Sequence, residues 1–481
     1  MFTPIKSFLF LLFCLLILVL VSYFWGDTSF SITPNYSIRF FNIKRYLEFE
    51  KNIVQKEDTV KSIIQQTSLI EAQSNVDTET VKIDTLKIKN FLKPLQVDKN
   101  FVSKIEYPNN DKSVLKNFFD ALKDAVNKSI HILYYGDSQI EEDRFSGFFR
   151  EKWQMHFGGS GVGYLSFMPV AQWVTPKVIY SDNWQKYSCY ATLGNASEVY
   201  GPMGQSFFFD SYKGRAEIKL KCNSNAIPKN CLYNRLKIFY GYANEPIMLH
   251  YYNGNEKLIS DTLNSKSPLS AKELPVSSNE EIVLEFEGFE SPYFYGLSLE
   301  SYGNGVYVDN IALRGSSGTF FHWIKPEILK EFFRIQNVQL IILQFGGNAL
   351  PMINSEEKVQ KYVRFVEVQI KLLKKIQPNV SILFVGPSDM SVNINGVMQT
   401  HPFLESVNNG LKEMVLKNRC AYFDMYSAMG GKNSMVIWVE ENMAAKDYIH
   451  FTPASARKMA ALIYYSLMKD YMDYIENANQ P

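Results

Sequence analysis

The chain has 481 residues, more than one compact core needs, which predicts an anchor, a spacer and about two folded modules. Its formal net charge is +1, from 50 basic and 49 acidic side chains with no long single-sign run, so an electrostatic footprint for nucleic acid is excluded. Aromatic residues are abundant, with 29 Tyr and 35 Phe, which suits both a β-rich module and a surface that stacks on sugar rings.

From Phe8 to Trp25 the chain runs FLFLLFCLLILVLVSYFW without a charge, enough to cross roughly 30 Å of hydrocarbon as a helix. Lys6 precedes the run and Tyr23, Phe24 and Trp25 close it as an interfacial belt. Residues 1–26 are therefore expected to be a transmembrane signal anchor, with the N-terminus in the cytoplasm and the rest periplasmic or at the cell surface. A cleaved signal peptide is the alternative, but the apolar core is long and no small-x-small cleavage site follows. Cys14 lies inside the run before bulky Leu15, which disfavours a lipoprotein. Residues 27–110 are polar, with few Gly or Pro and no sustained apolar period, and are expected to form a partly helical stalk.

From Ser113 apolar residues recur at helical spacing (Val114, Leu115, Phe118, Phe119, Leu122, Val126), and His131–Tyr135 then reads as a buried strand ending in Gly136. Residues 111–165 are the first part of an α/β domain on this pattern. Past Leu165 the period becomes two, in Arg215–Lys221, Arg235–Tyr240, Glu281–Phe286 and Tyr293–Leu299, predicting a separately folding β-sandwich over 166–305. Trp173, Trp184 and Tyr187 supply aromatic rings for a saccharide there. The run Gly158–Gly163 lacks a Walker lysine and follows a helix, so it reads as a flexible lead-in to this module rather than a phosphate cradle.

From Val306 short apolar strands return, at Val306–Leu313, Val338–Gln344, Val380–Val385 and Ala421–Asp424, separated by helical patterns over 356–376 and 403–417. A last helix starts at Thr452-Pro453, a capping hydroxyl followed by proline at the first helical position. Such alternation predicts a parallel sheet covered on both faces, completed by residues 306–475 and interrupted by the β module. Four cysteines follow the anchor; Cys222 with Cys231 is the best candidate for a disulfide, and unpaired buried thiols are the alternative.

In an open parallel sheet ligands bind beyond the carboxyl ends of the strands. The residues there are Gly136-Asp137-Ser138-Gln139, then Arg314-Gly315-Ser316-Ser317-Gly318, then Gly346-Gly347-Asn348, and late in the chain Asp447-Tyr448-Ile449-His450. Singly each has an ordinary explanation: Ser138 could cap a helix from Gln139, and Asn348 and Gly315 could be turn residues. Jointly they supply a nucleophile, oxyanion donors, a base and its orienting carboxylate. Asp447 lies three residues before His450, where a turn brings the carboxylate onto the imidazole; His131, His156, His250, His322 and His401 have no comparable local partner. The Gly-x-Ser-x-Gly elbow is absent around Ser138, which argues against an α/β-hydrolase.

This chain order resembles the SGNH (GDSL-like) hydrolase family over residues 130–165 and 306–470. Its four blocks match Gly136-Asp137-Ser138, Gly315 (with Gly318 as the alternative), Gly346-Gly347-Asn348 and Asp447-x-x-His450. Gln139 stands where the GDSL name has Leu, and Ala349 where many members carry Asp. The nearest likeness is to cell-envelope members acting on O-acetylated glycans, including peptidoglycan O-acetylesterases with a carbohydrate-binding-like β module inserted in the catalytic domain. The resemblance implies a flavodoxin-like α/β fold and a serine esterase without metal or cofactor, acting on an acylated envelope glycan. Ser138, Asp447 and His450 would be catalytic, with Ser138, Gly315 and Asn348 as the oxyanion hole. An O-acetyltransferase with a membrane acyl-transfer partner and a non-catalytic glycan-binding protein are the alternatives.

Overall fold

The computed structural model describes residues 4–25, 29–33, 36–39, 42–73 and 105–478, except 173, 191–197 and 255. Five parallel strands form the central sheet in the spatial order Val306–Ala312, Ile130–Gly136, Val338–Gln344, Ser381–Val385, Ala421–Phe423. In chain order this is 2-1-3-4-5, the flavodoxin-like arrangement, whose direction of winding reverses between the first and third strands.

The strands are apolar throughout because both faces are covered. All of Ile130–Gly136 is buried. Leu133 and Tyr135 point to one core with helices Pro326–Ile335, Glu356–Ile376 and Leu404–Lys417. Ile130, Ile132 and Tyr134 point to the other, with helices Lys116–Lys123, Ser146–Phe157 and Pro453–Ala478.

Between the first and second strands the chain builds two antiparallel sheets that form a β-sandwich. Pairing in this module begins ahead of residue 166, since Gly163–Leu165 lies against Tyr293–Glu300. The sandwich was expected to fold separately. Instead its core, with Phe207, Phe286 and Phe294, runs without a break into one face of the parallel sheet. Nor is Gly158–Gly163 a flexible lead-in. A Cβ on Gly161 would lie 2.3 Å from the Leu299 carbonyl oxygen, and one on Gly163 2.3 Å from Asp309 Oδ1, so this segment passes a neighbouring backbone at Gly161 and a carboxylate at Gly163 at distances only glycine permits.

A buried polar network ties the module to the sheet. Glu300 pairs with Arg235 at 2.6 Å and Lys237 at 2.9 Å, while His131 on the first strand bonds Asp309 at 2.7 Å and approaches Glu300 at 3.7 Å. Cys222 and Cys231 are joined, and Cys189 and Cys420 are free and buried.

Helix Pro4–Trp25 exposes its apolar side chains and is long and apolar enough to cross a membrane. The segment expected as a stalk holds the 31-residue helix Ile43–Gln73. Far from standing free, it buries Ile53, Val60, Ile64 and Ile70 in the core shared with Pro453–Ala478. Polar contacts reinforce it: Glu71 accepts from Arg457 Nε at 3.0 Å, and Lys56 donates to the Lys432 carbonyl at 2.7 Å. Residues 74–104 of the expected stalk lie outside the described residues.

Candidate active site

Ser138 lies just past the first strand, at the point where the winding reverses. Its hydroxyl is not a helix cap, for no helix starts at Gln139; Ser138 Oγ lies 2.8 Å from His450 Nε2. Asp447 Oδ1 accepts the backbone N–H groups of Ile449 at 2.9 Å and His450 at 3.0 Å, which folds the chain into a tight turn. That turn leaves Oδ2 facing His450 Nδ1 at 2.7 Å, so serine hydroxyl, imidazole and carboxylate form one hydrogen-bonded line. Burial alone would raise the Asp447 carboxyl, but hydrogen bonds from His450 and Ile449 outweigh it and hold the group below its ordinary range.

Asn348 follows the third strand, and its amide nitrogen donates to Asp137 Oδ2 at 2.9 Å and to the Ser316 carbonyl at 3.2 Å. Asp137, beside Ser138, also accepts the Gln139 N–H at 2.9 Å and is itself buried. Burial pushes its carboxyl up to about 6, against the opposing pull of the Gln139 N–H, His450 and Asn348. Gly315 occupies the third position of the turn Leu313–Ser316, with φ +80° and open space where a Cβ would point. Gly318, the alternative, is held by packing, since its Cβ would lie 2.6 Å from the Phe345 ring. The cleft around Ser138 and His450 is walled by Phe345, Asn348, Pro387 and Met390; neither Gly315 nor Gly318 is among its walls.

Sequence reasoning passed over two residues. Gln139 donates to the Ile449 carbonyl at 2.6 Å and accepts the Phe451 N–H at 3.4 Å, gripping the backbone on both sides of His450. Asp137 holds the Asn348 amide. Their position directly beside Ser138 was visible, but their partners lie more than two hundred positions away. Elsewhere, Trp184 does not offer a sugar platform: it is buried against Phe167, Phe209, Phe286 and Phe294. Tyr187 is partly exposed and Trp173 lies outside the described residues. His131 does have a carboxylate, Asp309, supplied from a distant strand and sealed from solvent. Among the described residues no group of three or more His, Cys, Asp or Glu could hold a metal ion.

No protein-family model and no curated protein matches the sequence. Among solved structures, a peptidoglycan O-acetylesterase aligns over 75% of this chain and 97% of its own, at 18% identity and TM-score 0.58. This chain has the SGNH-hydrolase fold. A family two carbohydrate esterase from Cellvibrio japonicus aligns over 63% of this chain and 99% of its own, at 11% identity and TM-score 0.24. An acetyl xylan esterase covers 33% of this chain and 80% of its own, at 14% identity and TM-score 0.27. Only the first likeness is close enough to speak for the architecture. In the SGNH-hydrolase fold seen here, Ser138, Asn348, Asp447 and His450 come together, and Gly315 stands one residue from the carbonyl that receives Asn348.

Proposed function

We propose that the protein is a serine esterase that removes acyl groups, chiefly O-acetyl, from a cell-envelope glycan such as peptidoglycan. Helix Pro4–Trp25 holds it to the membrane, with the catalytic part outside the cytoplasm. The observation that carries this reading is the line Asp447–His450–Ser138, bonded at 2.7 and 2.8 Å and opening on a cleft. The peptidoglycan O-acetylesterase that shares the architecture supports the choice of substrate class.

His450 Nε2 takes the Ser138 proton as Oγ attacks the ester carbonyl. Asp447 holds the ring orientation and stabilises the imidazolium. The oxyanion is received by the Ser138 N–H and by the Asn348 amide, which turns one N–H from its present partner to the new charge; Gly315, the third donor the resemblance implies, does not wall the cleft and is given no part. Loss of one such donor raises the barrier by about 3 kcal/mol. His450 returns the proton to the departing sugar oxygen, then draws one from water, which attacks the acyl carbon and releases the acid and free Ser138.

Water is the acceptor because the site is open: the side chains of His450 and Asp447 keep 29% and 45% of their surface exposed. The test is to incubate the full chain in detergent with an acetyl ester, with and without a chito-oligosaccharide, and measure free acetate against acetylated sugar. Acetate release is expected to dominate. Sugar acetylation outpacing it at millimolar acceptor would turn the reading to transfer, and no turnover of any ester would remove it.

A further inference from the structure

A second cavity, about 780 Å³ including its open mouth, lies on the other side of the nucleophile turn, between sheet and sandwich. Glu141, Asn310 and Arg314 wall it from the sheet side, and Val170, Tyr190 and Gln205 from the sandwich side. It adjoins the reaction centre. Glu141 N donates to the Ser138 carbonyl at 3.4 Å, and Arg314, which directly precedes Gly315, clasps Glu141 through contacts of 2.6 and 3.0 Å. Asn310, in its wall, donates its amide to the Ile140 carbonyl at 3.1 Å and so ties the cavity to the nucleophile turn.

Charge narrows the ligand. Arg314 pairs with Glu141 and Arg150 with Asp143, so Glu142 leaves the lining with a surplus negative charge that repels anions. Paired ions, amides and the hydrogen-bonded Tyr190–Gln205 couple instead suit a neutral, hydroxyl-rich ring. Resting on the esterase reading above, the geometry points to this cavity as a subsite for the sugar residue next to the one that carries the ester. The sandwich thus serves substrate selection through its contact with the catalytic domain, at the nucleophile turn, rather than through a remote face of its own.

The full-length protein carrying Ser138→Ala, in detergent micelles, is titrated calorimetrically with chito-oligosaccharides, alone and with Asn310→Ala or Val170→Trp added. Val170 is exposed at the rim, so tryptophan there narrows the mouth without entering the core, and thermal melting verifies that the fold is kept. The oligosaccharide is expected to bind, and each added change to weaken it at least fivefold. With Ser138 restored, the same changes should lower kcat/KM for an acetylated chito-oligosaccharide, through KM, at least fivefold more than for a simple acetyl ester. Absent binding, or binding indifferent to both changes, overturns the subsite. Cavity-dependent binding by a wild-type protein that hydrolyses no ester would remove the esterase reading and leave the subsite standing.

Discussion

In the proposed mechanism Ser138, His450 and Asp447 act on the same proton, so their contributions are not expected to add. Ser138→Ala and His450→Ala should each lower kcat by about 10⁴-fold or more with thermal stability retained, and Asp447→Asn should be severe but less complete, read by acetate release. Asp137 makes a different kind of prediction. Its folded carboxyl is raised to about 6, so between the ordinary carboxylate range and that value the native state binds the proton more tightly than the unfolded chain. The Asp137 contribution to stability is therefore greatest below the ordinary carboxylate range and is lost as pH rises through about 6, by about 3 kcal/mol once Asp137 is fully ionised. Asp137→Asn should melt higher than wild type at pH 8 and not at pH 4, yet turn over more slowly, because a neutral acceptor holds the Asn348 amide less firmly. A variant with unchanged melting at pH 8 would contradict the buried-carboxylate account.

Among the elements, helix Ile43–Gln73 has the greatest practical consequence. It grips the chain before and after the loop that carries Asp447 and His450: Lys61 pairs with Glu441 at 3.3 Å, and Lys458 donates to Ser68 at 2.8 Å. Burying four aliphatic side chains contributes roughly 6 kcal/mol or more before entropy is subtracted. A fragment beginning at residue 42 should keep the wild-type melting temperature and activity. One beginning at residue 96 should lose several degrees and part of kcat, which melting curves and ester hydrolysis would show. The apolar period of this helix, at Ile53, Val60, Ile64 and Ile70, is a stripe roughly one residue wide among charges. A stripe that narrow reads as a polar stalk until the partner helix is known. The catalytic strands are the opposite case, as unbroken apolar runs such as Leu340–Leu343 admit little besides a buried parallel strand.

At the scale of the whole molecule, the sandwich and the hydrolase domain share one core and one buried charge network. The excised sandwich, residues 163–305, should therefore fail to form fixed tertiary structure, judged by a weak near-ultraviolet signal and broad melting. Glu300→Gln in the full chain should destabilise it by about 3 kcal/mol, since Lys237 and Arg235 are left buried beside a neutral partner. Burial would lift the Glu300 carboxyl, but His131, Lys237 and Arg235 outweigh it and hold it at about 2. Its stabilisation is thus complete above about 4.5 and lost as pH falls towards 2, and the variant should lack that acid-side loss. The sequence by itself determined the alternation of strands and helices, the apolar N-terminal helix, the β-rich insertion and the serine, asparagine, aspartate and histidine of the site. The elements rest on local periodicity, and the site on four short blocks that follow one another in chain order at strand ends. Only the tertiary structure decided that Gln139 and Asp137 hold the site, that the expected stalk is docked, that Trp184 is core, and that a cavity adjoins the nucleophile turn. Those facts depend on partners from tens to hundreds of residues apart, whose meeting is set by tertiary packing and by no spacing along the chain.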